Sequence, residues 1–241
     1  MLDTEEFLFL LQSLEGSPPN YWSLYEEASN QNNLDQLLAI YHATKGATDP
    51  LNVVLNAMAL ARYEAMKSFS DKGIVEHANI SPKNKDTITS YLNKIQTWTL
   101  KEIQIYTNTM GYLSLEQQRI YFKNALKKID HYRHFAWGKK IYAILLINSC
   151  GNFIAHEDFA LATECVAHLD TLTEGTESAI YRLYQRYFEQ LIRYCLSQSE
   201  KSEAHILSVI STLESLDYVF LSQQCLSFFK QIKNKKSNTR G

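Results

Sequence analysis

The chain has 241 residues, 45% of them hydrophobic and 21% charged, with a formal net charge of -2. This is an ordinary globular composition, which excludes the disordered and membrane-embedded classes, and the missing surplus of Lys and Arg excludes nucleic-acid binding by phosphate neutralisation through this segment alone. The length is large for one core, yet a stack of helical repeats grows by accretion and needs no second domain.

At the N-terminus, Met1 is followed by Leu2, Asp3, Glu5 and Glu6, with no basic segment ahead of an apolar run, so no secretory signal is read. The longest apolar stretches, Ile141 to Ile147 and Phe7 to Leu11, fall far short of a membrane span, which needs about 20 residues. A cytoplasmic protein without membrane contact is expected.

Pro and Gly then punctuate the chain: Gly16 with Pro18 and Pro19, Gly46 with Pro50, Gly73 with Pro82, and Gly111, Gly151 and Gly175. Between them apolar residues recur three and four apart, as in Leu34, Leu37, Leu38 and Tyr41, then Leu51, Val54, Leu55 and Met58. Asp49-Pro50 opens one helix, Ser114 ahead of Glu116 and Gln117 opens another, and Ser202 opens a run ending near Tyr218. Period-two alternation of β-branched residues is absent, so about eleven or twelve helices and no sheet are predicted.

Trp98 and Trp137 lie 39 residues apart, and Ile141-Tyr142 and Ile180-Tyr181 repeat that step. A second helix fills each interval, over about 115 to 133 and 157 to 172, as in helix-turn-helix repeats of the tetratricopeptide type. The expected fold class is all-α, a right-handed superhelix of antiparallel helix pairs whose concave wall receives ligands. Trp98 and Trp137 are assigned to packing.

The four cysteines, Cys150, Cys165, Cys195 and Cys225, sit singly in apolar helical patterns and read as buried thiols, with no Cys-x-x-Cys pair. No G-x-S-x-G, Walker, G-x-G-x-x-G or H-E-x-x-H motif occurs, so no catalytic residue, metal or cofactor is assigned and enzymatic activity is not expected. His131 and His134 follow Lys127 and Lys128 at a helix end, where cations suit the dipole better than metal ligation explains them. His156-Glu157-Asp158 reads as N-terminal capping. The basic tail, Lys230, Lys233, Lys235, Lys236 and Arg240, reads as a solvated helix end.

The segment Trp98-x-x-x-Glu102-Ile103-x-x-Tyr106-x-Asn108, followed by Ile144-Leu145-Leu146-Ile147-Asn148, resembles the C-terminal regulatory domain of the Rgg/GadR/MutR transcription regulators. Glu6-Phe7-Leu8-Phe9-Leu10 resembles the segment that follows their DNA-binding domain. The resemblance implies a peptide-pheromone-binding and dimerising domain over residues 1-241. It also implies that DNA is reached only through a helix-turn-helix domain for which this chain has no room.

In that family the peptide lies in the concave groove, and an Asn on an inner helix pairs with its main chain. Asn148 is the first candidate, since an amide offers a donor and an acceptor together; it also reads as a polar residue near a helix end before Gly151. Asn152 lies one turn on, and Asn108 occupies a comparable point of the preceding inner helix. The helix from Ser178 to Cys195 adds Tyr181, Arg182, Tyr184 and Arg186, with Tyr187, as aromatic surface and guanidinium donors for an anionic peptide, or else as packing residues with solvated arginines. The competing function is a scaffold for a folded partner. A homodimer is expected through the C-terminal helices, where Val219, Leu226, Phe228 and Phe229 end the stack.

Overall fold

A computed structural model of the chain describes residues 20-72 and 81-238. Gly16, Pro18, Pro19, Gly73, Arg240 and the Glu6-Leu10 segment lie outside the described residues. Twelve α-helices and no strand occur among those described, and the chain divides into two compact units, one ending at Ile95 and the other beginning at Gln96.

The first unit holds α1 (Tyr21–Gln31), α2 (Leu34–Ala43), α3 (Pro50–Lys72) and α4 (Pro82–Lys94). Each start is made by a polar side chain that accepts from otherwise orphaned amides: Asn20 from Trp22, Asn33 from Gln36, Asp49 from Asn52, and Ser81 from Asn84. Pro50 and Pro82 occupy first turns, where the missing N–H costs nothing. Tyr25, Leu37, Leu55, Met58, Ile88 and Leu92 form its core.

The second unit holds α5 (Leu100–Thr109), α6 (Leu115–Leu126), the single turn α7 (Ile129–Tyr132), α8 (Ala136–Ala155), α9 (Phe159–Leu172), α10 (Ala179–Ser197), α11 (Glu200–Ser215) and α12 (Val219–Asn238). Capping boxes start α5 (Thr99 with Glu102) and α6 (Ser114 with Gln117). Helices α5, α8, α10 and α12 pack in sequence as one row, with α9 behind α8 and α10, and α11 behind α10 and α12. Three row tyrosines tie the stack by donating to main-chain carbonyls: Tyr106 to Gln118 at 2.9 Å, Tyr142 to Ala125 at 2.8 Å, and Tyr187 to Cys225 at 2.8 Å. All four cysteines are buried free thiols, and no helix among the described residues is long and apolar enough to cross a membrane.

Several expected boundaries are corrected. Gly151 is not a break but lies well inside α8. Ser202 is a buried residue within α11, whose N-cap is Ser199. Of His156-Glu157-Asp158 only Asp158 caps, accepting from Leu161 at 3.3 Å, while Glu157 stands in the left-handed region at φ 60°. Asn32, Gln198 and Asp217 do likewise at the ends of α1, α10 and α11. At α8 and α11 the following amides close the turn: Asp158 donates to Phe153 and Glu157 to Ile154, Tyr218 to Leu213 and Asp217 to Glu214. These stops are not glycines, so a search for Gly misses them.

The repeat step is also uneven. α5, α8 and α10 begin at Leu100, Ala136 and Ala179, the second interval being longer than the first. Trp98 precedes its helix cap and is 5% exposed, packed on Tyr106 and Tyr121, whereas Trp137 falls inside the first turn of α8 and is 41% exposed. The packing role assigned to Trp137 is therefore corrected. At the C-terminal end Phe229 is buried against Tyr194, not part of an open face, because helical phase turns it inward.

Candidate functional site

Helix α8 packs on α5, α9 and α10 and touches α7 and, through Tyr142, α6, and its exposed residues fall on one side. Residues spaced three and four apart share that side: Trp137, Lys140, Ile144 and Asn148 are exposed, and Gly151 and Asn152 continue the stripe half-buried. The Asn148 side chain makes no hydrogen bond among the described residues, and its main-chain carbonyl accepts from Asn152 Nδ2 at 3.3 Å. Asn152 is more committed, since its Nδ2 makes that bond, and its main-chain carbonyl accepts from the His156 amide at 3.1 Å and lies 2.9 Å from the His156 ring Nδ1.

Asn108 is exposed on α5, with Nδ2 donating to the Gln104 carbonyl at 2.9 Å. On α10, Tyr181 and Tyr184 are half-buried, and burial raises both phenols above their ordinary range. Tyr184 stacks on Phe188 with ring centroids 6.2 Å apart. Arg182 donates through Nε to the Thr173 carbonyl at 3.2 Å and pairs with Asp170. Arg186 is exposed but pairs with Glu189 at 3.1 Å, which also holds Arg193 at 2.7 Å. Tyr187 belongs to the core.

Asn148 and Asn152 thus share one stripe, while Arg182 and Arg186 are held by acids. Trp137, Lys140 and Ile144 share the stripe with Asn148 at helical spacing, a signal present in the sequence, where Trp137 is assigned to packing, Ile144 belongs to the quoted motif and Lys140 has no assignment.

A separate polar cavity of about 440 Å³ lies beside the start of α8, lined by residues that include Arg133, His134, Lys139 and His168. Lys139 is taken by Glu177 at 2.6 Å, which holds the Glu177 carboxyl below its usual range. No group of His, Cys, Asp or Glu that would hold a metal occurs among the described residues.

Known proteins put the chain in a defined class, the C-terminal domains of HTH-type transcriptional regulators. Residues 35–232 match the family of the HTH-type transcriptional regulator Rgg, C-terminal domain, and the chain belongs to that family. Solved structures share the fold. A Listeria monocytogenes EGD-e protein assigned as a transcriptional regulator is 23% identical, with a TM-score of 0.83 over 98% of this chain and 81% of that one. The SHP pheromone receptor Rgg2 of Streptococcus dysgalactiae is 13% identical, with a TM-score of 0.69 over 96% and 80%. A point mutant of PrgX is 13% identical, with a TM-score of 0.66 over 98% and 83%.

Proposed function

We propose that this chain is the peptide-sensing and dimerising part of a quorum-sensing transcription regulator of the Rgg family, acting in the cytoplasm, with DNA contact made by a helix-turn-helix domain and not by this helical array. Membership of the family, and a fold shared with a receptor for the SHP pheromone, support a short peptide as the partner.

The observation that carries the reading is Asn148: an exposed amide on the open side of α8, with no intramolecular side-chain partner among the described residues. A donor and an acceptor held ready on a rigid helix match one peptide unit of an extended main chain. Asn152, one turn on, and Asn108, on the neighbouring helix α5, are proposed as secondary contacts, and Tyr181, Arg182, Tyr184 and Arg186 as the wall on the α10 side. The dimer contact is assigned to the turn from α11 to α12, where Leu216, Tyr218, Val219 and Phe220 are each about half exposed.

Calorimetry with short hydrophobic octapeptides tests the site. Binding that weakens when Asn148 becomes Ala supports it. Absence of any peptide binding, with a folded protein retained instead on purification, favours a scaffold.

A further inference from the structure

The open side of α8 carries one cation whose charge is not already answered. Lys139 is held by Glu177, whereas Lys140 has no carboxylate partner among the described residues and rests 5.6 Å from the centroid of the Trp137 ring. On α10, Arg182 pairs with Asp170, and Arg186 and Arg193 share Glu189. An acidic ligand arriving at those arginines must displace an internal acid; at Lys140 it displaces no carboxylate among the described residues. Trp137 and Ile144, 41% and 37% exposed, lie one turn to either side of Lys140 and supply apolar surface. From Lys140 to Asn148 the helix rises about 12 Å, the reach of about four residues of extended peptide.

Resting on the peptide reading above, we infer that the ligand is a peptide bearing a carboxylate next to an apolar side chain. The carboxylate sits at Lys140, the apolar group lies on Trp137 and Ile144, and the main chain about four residues away is held by Asn148. The carboxylate is either an Asp or Glu side chain or the free C-terminus.

Fluorescence anisotropy of the full chain with dye-labelled octapeptide pools of Ile, Leu, Val and Phe tests this. The pools differ in one feature: free C-terminus, amidated C-terminus, amidated with one Asp, or amidated with one Lys. The neutral amidated pool is expected to bind about tenfold more weakly than a carboxylate-bearing pool, and comparison of the free-acid and Asp arms names the source. Lys140→Glu removes that preference and strengthens the Lys pool, while Trp137→Ala weakens every pool. Equal binding of neutral and acidic pools overturns the inference, as does an unchanged preference in Lys140→Glu. In either case loss of binding in Asn148→Ala leaves the peptide reading intact. If no pool binds, the peptide reading falls and the inference with it.

Discussion

The Tyr187 hydroxyl donates a 2.8 Å hydrogen bond to the Cys225 carbonyl and so ties α10 to α12 through the buried core. Removing the hydroxyl leaves a buried carbonyl without that donor, a loss of about 1–2 kcal/mol. Tyr187→Phe is therefore expected to lower the urea midpoint with helical content unchanged, as measured by circular dichroism.

Two glycines inside α8 should respond with opposite signs. A Cβ on Gly138 would lie 2.6 Å from the Tyr132 carbonyl oxygen, which is backbone and cannot swing aside, so Gly138→Ala is expected to destabilise by roughly 1–3 kcal/mol. A Cβ on Gly151 would meet only the Phe188 ring at 3.9 Å, an ordinary contact. Gly151→Ala should stabilise by about 0.5–1 kcal/mol. Thermal melts of both variants check the pair.

Arg182 and Arg186 are near neighbours on α10 with different duties. Arg182 braces the end of α9 through the Thr173 carbonyl and Asp170, whereas Arg186 is solvated beside Glu189. Arg182→Ala should cost about 1 kcal/mol in a denaturation experiment and Arg186→Ala under about 0.5 kcal/mol. Equal losses would contradict this division.

Burial pushes the Cys195 thiol up to about 11 and the Cys225 thiol up to about 12. Unfolded thiols ionise at about 8.5, so above that pH the unfolded state sheds protons that the folded state retains. The thiols' contribution to stability is whole below about 8.5 and declines as pH rises toward the folded values. The urea midpoint should fall between pH 7.5 and 10, and less so in Cys225→Ala. At neutral pH an aromatic disulfide reagent should label the native cysteines slowly and the denatured chain at once.

The apolar turn from α11 to α12 gives a test of self-association. Phe220 is 50% exposed and Leu216 54%, so Phe220→Glu should leave the fold unchanged. Sedimentation is expected to show a dimer for the parent chain and a monomer for the variant. A parent chain that is monomeric at every concentration would refute the proposed contact.

Most helices and their order are legible along the chain, because three-and-four spacing, Ser114 and Asp49-Pro50 are local signals that act within one turn. The sequence by itself likewise marked the four cysteines as buried, since each lies in an apolar phase, and the quoted motifs led to the Rgg family. Tertiary structure alone decided which signals were used across helices. Trp98 and Trp137 look equivalent in spacing, yet one falls before a helix cap and the other inside a first turn, and so they differ in burial. Stops at Glu157 and Asp217 were illegible because a left-handed residue without glycine is paid for by cross-turn hydrogen bonds. The availability of a charge was hidden where the partner comes from another helix: Asp170 on α9 answers Arg182 only through packing, whereas the pairing of Arg186 with Glu189 three residues on is legible along the chain.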